Sequence, residues 1–336
     1  MTQVTLGRTG LTVNKNGFGA LPIQRITRDE AAYLLQKALD NGIDFFDTAR
    51  GYTDSEEKIG YALSSRRGQF ILATKTPSNT VEGFWDDLHT SLKNLRTDYV
   101  DILQFHNPAS CPRPGDGTGL YEAMLEAKAQ GKIRFIGLTN HRLAVAREAL
   151  ESGLYDTIQF PFSYLAAPDE IRLVEDCGEN NVGFIAMKAL SGGLITSSAA
   201  AYAFQARYPG SLPIWGIQRE RELDEFLSYI ENPPSLTPEL QAVIDHDSRE
   251  LAGDFCRGCG YCLPCPAGID IPNCARMSLL LRRAPADGSL TPEWQEKMAR
   301  VDQCLHCNQC SGRCPYGLDT PELLRRNYED YKTFLK

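Results

Sequence analysis

The sequence predicts an α/β protein in which a closed (β/α)8 barrel is followed by a small helical domain. Two observations carry this prediction. Eight apolar, β-rich segments alternate with helical patterns up to about residue 231, and nine of the eleven cysteines lie between Cys256 and Cys314. The chain has 336 residues, which suits one large core and one small one, because single cores stop growing at roughly 250–300 residues.

The barrel prediction rests on the order of the strands and on the patterns between them. Several signals predict a helix after the first strand. Apolar residues recur at helical spacing, Thr27 and Glu30 form a capping box at the start, and Gly42 follows the predicted end. Repeated βα units imply a parallel sheet that closes into a TIM barrel. An open doubly wound sheet is the alternative, and the lack of a G-x-G-x-x-G turn counts against it. The predicted strands are Gly17–Leu21, Asp44–Thr48, Phe70–Thr74, Tyr99–Phe105, Phe135–Thr139, Thr157–Phe160, Gly183–Lys188 and Pro213–Gln218.

A proline-rich stretch, Asn232-Pro233-Pro234-Ser235, ends the alternating pattern. We therefore expect the barrel to occupy residues 1–232, and a linker helix with the cysteine-rich domain to occupy residues 233–336. This second part is predicted to be mostly helical. Three Thr-Pro-Glu motifs, beginning at Thr237, Thr291 and Thr320, each place a capping oxygen, a proline at the first helical position and an acid in the first turn.

Charge and composition argue against several classes of protein. The formal net charge is −8, which disfavours nucleic acid as a partner because phosphate binding needs a basic face. No apolar run approaches the ~20 residues that span a bilayer, and the first residues lack a charged-then-apolar signal. We therefore expect a cytoplasmic protein with no membrane partner. A disulfide-rich secreted domain fits such a chain poorly.

Polar side chains follow three predicted strands at the end where barrel active sites lie. Asp47, Lys75 and His106 end the second, third and fourth strands. Tyr52 follows Asp47 by five residues. Reduction of a carbonyl by hydride leaves an alkoxide that needs a proton, and a phenol with a pKa near ~10 is a reluctant donor at neutral pH. A nearby ammonium lowers that pKa, a carboxylate holds the ammonium, and an imidazole orients the carbonyl.

The motifs around these residues resemble those of the aldo-keto reductase family over roughly Leu6 to Phe226. The resemblance implies a catalytic tetrad. In it Tyr52 is the general acid and Lys75 modifies its pKa, while Asp47 is the partner of Lys75 and His106 orients the carbonyl. The matching motifs are Leu6-Gly7-Arg8-Thr9-Gly10-Leu11, Gly17-Phe18-Gly19 and Gly42-Ile43-Asp44-Phe45-Phe46-Asp47-Thr48-Ala49. Each side chain taken alone is more often structural, and it is the set of four in order that favours catalysis.

The resemblance also implies an extended nicotinamide cofactor, NAD(H) or NADP(H), across the rim of the barrel. Thr139, Asn140 and Gln159 would hold its carboxamide, since hydroxyl and amide groups both donate and accept hydrogen bonds. Satisfied hydrogen bonding at the strand ends is the structural alternative for these three residues.

The rest of the implied nucleotide site departs from the family pattern. Met187 takes a stacking position that is usually aromatic, and Lys188 with the Ser191-Gly192-Gly193 turn would meet the pyrophosphate. Glu222 stands where an arginine for a 2′-phosphate is expected, and Phe226 stands where an asparagine is expected. An acid there disfavours a phosphate dianion, whereas Arg219 or Arg221 can compensate for it. The choice between NADH and NADPH therefore stays open.

Two cysteine runs indicate iron–sulfur clusters. They are Cys256-x2-Cys259-x2-Cys262-x2-Cys265-Pro266 and Cys304-x2-Cys307-x2-Cys310-x3-Cys314-Pro315. The second run has bacterial ferredoxin spacing, and the first is one residue short before its last cysteine. The fourth thiolate of each cluster comes from the other run in two-cluster domains. We therefore expect one 4Fe-4S cluster on Cys256, Cys259, Cys262 and Cys314, and another on Cys304, Cys307, Cys310 and Cys265. Predicted helices near Ile271–Arg283 and Thr291–Val301 make this an α-helical ferredoxin-like domain.

Alternatives to two clusters remain at this point. Eight thiolates also suit two zinc ions, although the trailing Cys-Pro in both runs favours iron–sulfur. The short first run leaves room for a single cluster or a three-iron one. Cys274 is predicted to be a buried apolar residue rather than a ligand.

Two functions fit these observations. The first is an enzyme that interconverts a small carbonyl compound and an alcohol with a nicotinamide, while its clusters exchange electrons with a redox partner protein. The second is a non-enzymatic redox sensor or electron carrier built on a reductase-derived barrel. A hydride carries two electrons and a cluster passes one, so the clusters can instead serve structure or sensing.

Overall fold

The structure is a computed structural model that describes residues 3–251, 253, 255–283 and 286–335. These residues divide into two compact units. The first comprises residues 1–189 and 198–241, and the second comprises residues 190–197 and 242–336. No helix among the described residues is long and apolar enough to cross a membrane.

The first unit is a closed barrel of eight parallel strands, as predicted. The strands follow one another around the barrel in chain order, and the last pairs with the first. All eight predicted strands are present, each within a few residues of its predicted bounds. They are β3 (Gly17–Gly19), β4 (Phe45–Asp47), β5 (Ile71–Thr76), β6 (Val100–His106), β7 (Ile133–Thr139), β8 (Thr157–Pro161), β9 (Gly183–Met187) and β10 (Ser211–Gly216).

Helices connect these strands on the outside of the barrel. The one after β3 begins with the predicted capping box, in which Thr27 accepts from the backbone of Glu30 and the Glu30 carboxylate accepts from the backbone of Thr27. Two orphan N–H groups are thereby satisfied. The helices are α1 (Arg28–Asp40), α2 (Ser55–Leu63), α3 (Val81–Leu95), α4 (Leu120–Ala129), α5 (Leu143–Ser152), α6 (Pro168–Glu179), α7 (Ser198–Ala206) and α8 (Glu220–Glu231).

A hairpin that the sequence analysis missed precedes the barrel. Its strands are β1 (Gln3–Thr5) and β2 (Thr12–Asn14), paired antiparallel. Val4 and Val13 are buried in one core cluster with Phe45 and Leu212, near the start of barrel strands β4 and β10. The hairpin therefore closes the N-terminal end of the barrel, which leaves the C-terminal end for the site.

The second unit is helical and has its own apolar core. Buried Ile271, Met277, Met298, Leu324 and Tyr331 belong to this core, as does Cys274, which is buried as predicted. The helices are α9 (Pro238–Glu250), α10 (Ile271–Cys274), α11 (Met277–Arg283), α12 (Pro292–Ala299), α13 (Gln309–Arg313) and α14 (Thr320–Thr333).

Two expectations for this region differ from the structure. The expected boundary at residues 232 and 233 lies before α9, whereas the contacts divide the chain inside α9, between residues 241 and 242. The prediction that Thr320 caps the last helix is wrong. Asp319 is the N-cap, and its carboxylate accepts from the backbone of Glu322 at 3.3 Å. Both residue types are good caps, and the backbone turns into the helix one residue earlier than expected.

Candidate active site and cysteine cavities

Asp47 and Lys75 form an ion pair inside the barrel. Asp47 is the last residue of β4, and Lys75 is the last but one of β5. The Lys75 ammonium donates to Asp47 Oδ1 at 2.5 Å and to the carbonyl oxygen of Thr48 at 2.6 Å. Both side chains are almost fully buried, with 1% and 3% of their surface exposed for Lys75 and Asp47. Each charge therefore depends on the other for the stabilisation that water would supply.

Tyr52 and His106 lie beside this pair. Tyr52 is in the loop between β4 and α2, and its ring centroid is 5.8 Å from that of His106, which ends β6. The two rings are close to perpendicular, at 83°. The Lys75 ammonium is 5.2 Å from the centroid of the Tyr52 ring. The structure thus brings the four predicted residues together at the C-terminal end of the barrel.

Burial controls the protonation of these groups. It lowers the pKa of His106 to about 3, and the Lys75 charge acts in the same direction. His106 is therefore neutral near pH 7 and keeps one N–H as a donor. Burial raises the pKa of Tyr52, and the Asp47 carboxylate raises it further. The role of Lys75 in lowering the pKa of Tyr52 stays a prediction.

The three residues expected to hold a carboxamide lie on neighbouring strand ends. His106 and Thr139 are register partners across β6 and β7, as are Thr139 and Gln159 across β7 and β8. The Gln159 amide nitrogen donates to Asp47 Oδ1 at 3.4 Å, whereas its Oε1 is buried without a hydrogen-bond partner. A buried acceptor without a partner is costly, so a ligand that donates an N–H group to Gln159 Oε1 would be favourable here.

Thr139 and Asn140 already have partners. The Thr139 hydroxyl donates to the sulfur of Met187 at 3.8 Å. The Asn140 side chain donates to the carbonyl oxygen of Pro108 at 2.8 Å and accepts from the backbone of Arg142 at 2.8 Å. These bonds use part of the Asn140 amide, which has further capacity for a ligand.

The residues expected at the nicotinamide ring and at the pyrophosphate lie at the end of β9 and just after it. Met187 ends β9, and Lys188 follows it with a left-handed φ of 56°. Both belong to the first unit. Gly193 has a φ of 94° in a short 3-10 turn, Ser191–Gly193, and belongs to the second unit.

Glu222 and Phe226 have structural roles in α8. The Glu222 carboxylate accepts from the backbone N–H groups of Gln218 at 3.0 Å and Arg219 at 3.1 Å, and so caps the helix. Phe226 is buried and stacks on Trp215 with a centroid separation of 4.4 Å. The Glu222 carboxylate also lies 3.7 Å from Arg219 Nη1, so a positive charge accompanies it at the position where the resemblance implies contact with a 2′-phosphate.

Three polar residues of the barrel end were missed by the sequence analysis. Gln104 donates to Asp47 Oδ2 at 3.3 Å. The available signal was its position two residues before His106, since alternate residues of a strand share a face. Glu56 is buried and accepts from the Thr74 hydroxyl at 2.7 Å. His141 is buried after β7, where burial lowers its pKa well below the usual value.

The second unit contains two neighbouring cavities lined by cysteines. We name the first the Cys256 cavity, and Cys256, Cys259, Cys262 and Cys314 line it. We name the second the Cys304 cavity, and its lining includes Cys265, Cys304, Cys307 and Cys310. They hold about 360 and 380 Å³ of space free of atoms, part of which is open to solvent.

The grouping of thiols follows the cross-run pattern expected from the sequence. In each cavity three cysteines of one run meet the last cysteine of the other run. Cys262 lines both cavities, so the two lie side by side. All eleven cysteines of the chain are free thiols. Four thiols line the Cys256 cavity, and five line the Cys304 cavity when the shared Cys262 is counted. Either set of soft sulfur donors fits an iron–sulfur cluster.

Each of the two units contains a segment that matches the model of a known protein family. A model of the aldo/keto reductase family matches residues 15–200, which is more than half of the chain. The chain belongs to the aldo-keto reductase family. A model of a 4Fe-4S dicluster domain matches residues 255–319. This aldo-keto reductase therefore carries an additional ferredoxin-type domain, and the match favours iron–sulfur over zinc.

Curated relatives of this aldo-keto reductase are oxidoreductases. L-galactose dehydrogenase of Arabidopsis thaliana is 32% identical over an alignment of 219 residues, with coverage of 58% of this chain and 68% of the relative. The NADH-specific methylglyoxal reductase of Escherichia coli is 27% identical over 228 residues, with coverage of 59% and 70%. The protein is thus an oxidoreductase enzyme of the aldo-keto reductase type, which disfavours the non-enzymatic hypothesis.

Solved structures agree on the fold. A thermostable aldo-keto reductase in complex with the inhibitor epalrestat is 26% identical, with a TM-score of 0.61 and coverage of 74% of this chain and 100% of that chain. The holo form of an aldo-keto reductase from Bacillus halodurans is 22% identical, with a TM-score of 0.63 and coverage of 74% and 96%.

Proposed function

We propose that this aldo-keto reductase interconverts an aldehyde or ketone and the corresponding alcohol with a nicotinamide cofactor. The observation that carries the proposal is the buried Lys75–Asp47 ion pair with Tyr52 and His106 beside it at one end of the barrel. An acid, an amine, a phenol and an imidazole in contact form a set suited to proton transfer at a carbonyl oxygen.

Each of the four side chains has a separate task in this proposal. Tyr52 holds the proton that the alkoxide takes up, and its raised pKa keeps that proton on the phenol until the oxygen develops negative charge. Neutral His106 donates a hydrogen bond that orients the carbonyl. Lys75, fixed by Asp47, places a positive charge against the Tyr52 ring and stabilises the phenolate that proton transfer leaves.

The nicotinamide, when bound, supplies or accepts the hydride. Gln159 supports this assignment, because its buried Oε1 is an acceptor that a carboxamide N–H can satisfy. Thr139 and Asn140 are proposed to complete the carboxamide site. Met187 is proposed to cover the ring, and Lys188 and Gly193 to meet the pyrophosphate. We propose that NADPH is not strongly preferred over NADH.

We further propose that the second unit binds two 4Fe-4S clusters, one in each cysteine cavity. The ligands are Cys256, Cys259, Cys262 and Cys314 for one cluster, and Cys265, Cys304, Cys307 and Cys310 for the other. The clusters exchange single electrons with a redox partner protein. Exposed Cys307 and Leu305, which is 66% exposed, support electron exchange at the Cys304 cavity.

Steady-state kinetics with a panel of carbonyl compounds and both NADH and NADPH test the catalytic proposal. Tyr52→Phe should lower turnover by about 10²–10⁴-fold, the usual contribution of a general acid. Affinity for the nicotinamide should change little, because the phenol does not hold the carboxamide. The control is Tyr61→Phe, at an exposed tyrosine, and it should retain full activity. Full carbonyl reduction by Tyr52→Phe would remove Tyr52 from the mechanism.

A further inference from the structure

The two cysteine cavities differ in their charged surroundings. The Cys304 cavity is lined by apolar residues, cysteines and two side-chain amides, and its described lining contains no charged side chain. The exposed Arg313 guanidinium donates to the carbonyl oxygen of Pro264, one of the lining residues, at 3.3 Å. The Cys256 cavity is lined by Arg257, whose guanidinium lies 4.5 Å from the centroid of the Tyr316 ring in the same lining. A second guanidinium, that of Arg276, lies next to this cavity.

Arg276 is fixed against the first cysteine run. Its guanidinium donates to the carbonyl oxygen of Gly192 at 2.7 Å and to Asn273 Oδ1 at 3.3 Å. It packs so closely on the backbone of Gly258 that a Cβ there would lie 2.8 Å from Nη1. Gly258 N–H in turn donates to the sulfur of Cys256 at 3.4 Å. The positive charge is therefore held beside one cavity by hydrogen bonds and close packing.

The charge acts on the thiols of this cavity. The Arg276 guanidinium packs on Gly258, and the Gly258 N–H donates to the Cys256 sulfur at 3.4 Å, so both groups direct positive charge towards this sulfur. The same interaction favours any species in the cavity that becomes more negative. When a cluster accepts one electron, the net charge of the iron, sulfide and thiolate unit falls by one, and a nearby fixed cation stabilises that reduced form.

We propose that Arg276, together with Arg257, raises the reduction potential of the cluster in the Cys256 cavity and leaves that of the other cluster nearly unchanged. The two clusters are then inequivalent, because Arg257 and Arg276 lie beside the Cys256 cavity and the described lining of the Cys304 cavity contains no charged side chain. This inference rests on the proposed binding of one cluster in each cavity, and it concerns the one-electron chemistry of the second unit rather than carbonyl reduction.

A redox titration of the anaerobically purified holoprotein, followed by electron paramagnetic resonance, tests the proposal. At a fixed potential, Arg276→Gln should lower the ratio of reduced to oxidised protein for one cluster at least tenfold. For a one-electron couple, this corresponds to a fall of about 59 mV in the reduction potential. Arg257→Gln should shift the same cluster in the same direction, and it keeps the test open if Arg276→Gln fails to fold. Arg276→Lys should retain most of the wild-type potential.

Two further variants identify the cluster and control for net charge. Leu305→Lys places a cation on the exposed lining of the Cys304 cavity, so it should raise the potential of the cluster that the arginine variants leave unchanged. Arg282→Gln removes a charge that is paired with Asp330, and it should shift neither. Equal shifts of both clusters, or none, in the two arginine variants would overturn the inference. A protein without cluster signals would instead refute the cluster assignment itself.

Discussion

At the scale of single residues, the site depends on charges that burial makes interdependent. Asp47 and Lys75 are both removed from water, and removing one partner of such a pair typically costs about 3–5 kcal/mol because the other charge is left buried alone. Gln104 and Gln159 both donate to the Asp47 carboxylate. Burial raises the pKa of the Asp47 carboxyl, while Lys75 and the two glutamine amides act in the opposite direction. Asp47 positions Lys75 through this network, and a substitution at any of these positions disturbs more than one contact.

The buried imidazole of His106 makes stability depend on pH. Its pKa of about 3 lies below the ordinary value of 6.5, so the unfolded chain binds one more proton between these two values. The free energy of unfolding should therefore fall as pH drops through this window, by up to about 1.4 kcal/mol per pH unit for one such group. Buried His141, with its pKa shifted in the same direction, should add to this loss.

Urea denaturation followed by circular dichroism at about pH 7 and about pH 5 measures this effect. His106→Gln should lose less stability between the two pH values than the wild type does. His89→Gln, at an exposed histidine, should behave like the wild type. An acid-induced loss of equal size in wild type and His106→Gln would show that His106 does not bear the predicted shift.

At the scale of elements, one residue at the start of α8, Glu222, affects both the capping of the helix and the choice of coenzyme. The sequence alone suggested that Glu222 repels a 2′-phosphate. The structure adds that its carboxylate caps α8, through the backbone N–H groups of Gln218 and Arg219. An arginine in its place would therefore remove a cap as well as reverse a charge, and would not isolate the electrostatic effect.

Glu222→Gln is the cleaner variant, because glutamine also serves at this position of a capping box. Dissociation constants for NADH and NADPH should show that it binds NADPH more tightly relative to NADH than the wild type does, while thermal stability changes little. Glu222→Ala should give the same coenzyme shift together with a loss of stability. Wild-type protein that binds NADPH more than about a hundredfold tighter than NADH, a difference of about 2.8 kcal/mol, would refute the charge argument.

At the scale of the whole molecule, the two units have separate cores and separate chemistry. The barrel is closed by backbone pairing between β10 and β3, whereas the second unit joins its two cysteine runs around two cavities. Metal-site assembly is coupled to folding where the ligands come from distant parts of a chain. We therefore expect cluster loss to damage the second unit far more than the barrel.

Anaerobic analysis of iron and acid-labile sulfide tests this expectation. The wild type should contain about eight irons and eight sulfides per chain. Cys310→Ala should lose or convert one cluster and increase proteolysis after residue 241, while the barrel keeps its circular dichroism. Cys274→Ala, which removes a buried thiol of the core, should retain both clusters. Stoichiometric zinc without sulfide would reject the iron–sulfur assignment, and about four irons would reduce it to one cluster.

Local patterns in the sequence were sufficient for much of the architecture. The eight strands alternate with helices in a fixed order, so the barrel follows from hydrophobic periodicity and from the rule that parallel strands need crossovers. Because parallel strand ends meet at one rim, Asp47, Lys75 and His106 were predictable neighbours. Cysteine spacing likewise indicated a dicluster domain, since three thiolates on a short loop suit one cluster.

The tertiary structure decided what depends on residues far apart in the chain. Gln104 and Gln159 reach the same carboxylate from different strands, and no local pattern encodes that convergence. Residues 190–197 group with the second unit, which otherwise begins at residue 242. The Arg276 guanidinium donates to the carbonyl oxygen of Gly192, 84 positions earlier in the chain. Hydrophobic periodicity indicates which face of a helix or strand is buried. Packing between elements decides which partner a buried side chain meets, and that partner sets the pKa and the function of the side chain.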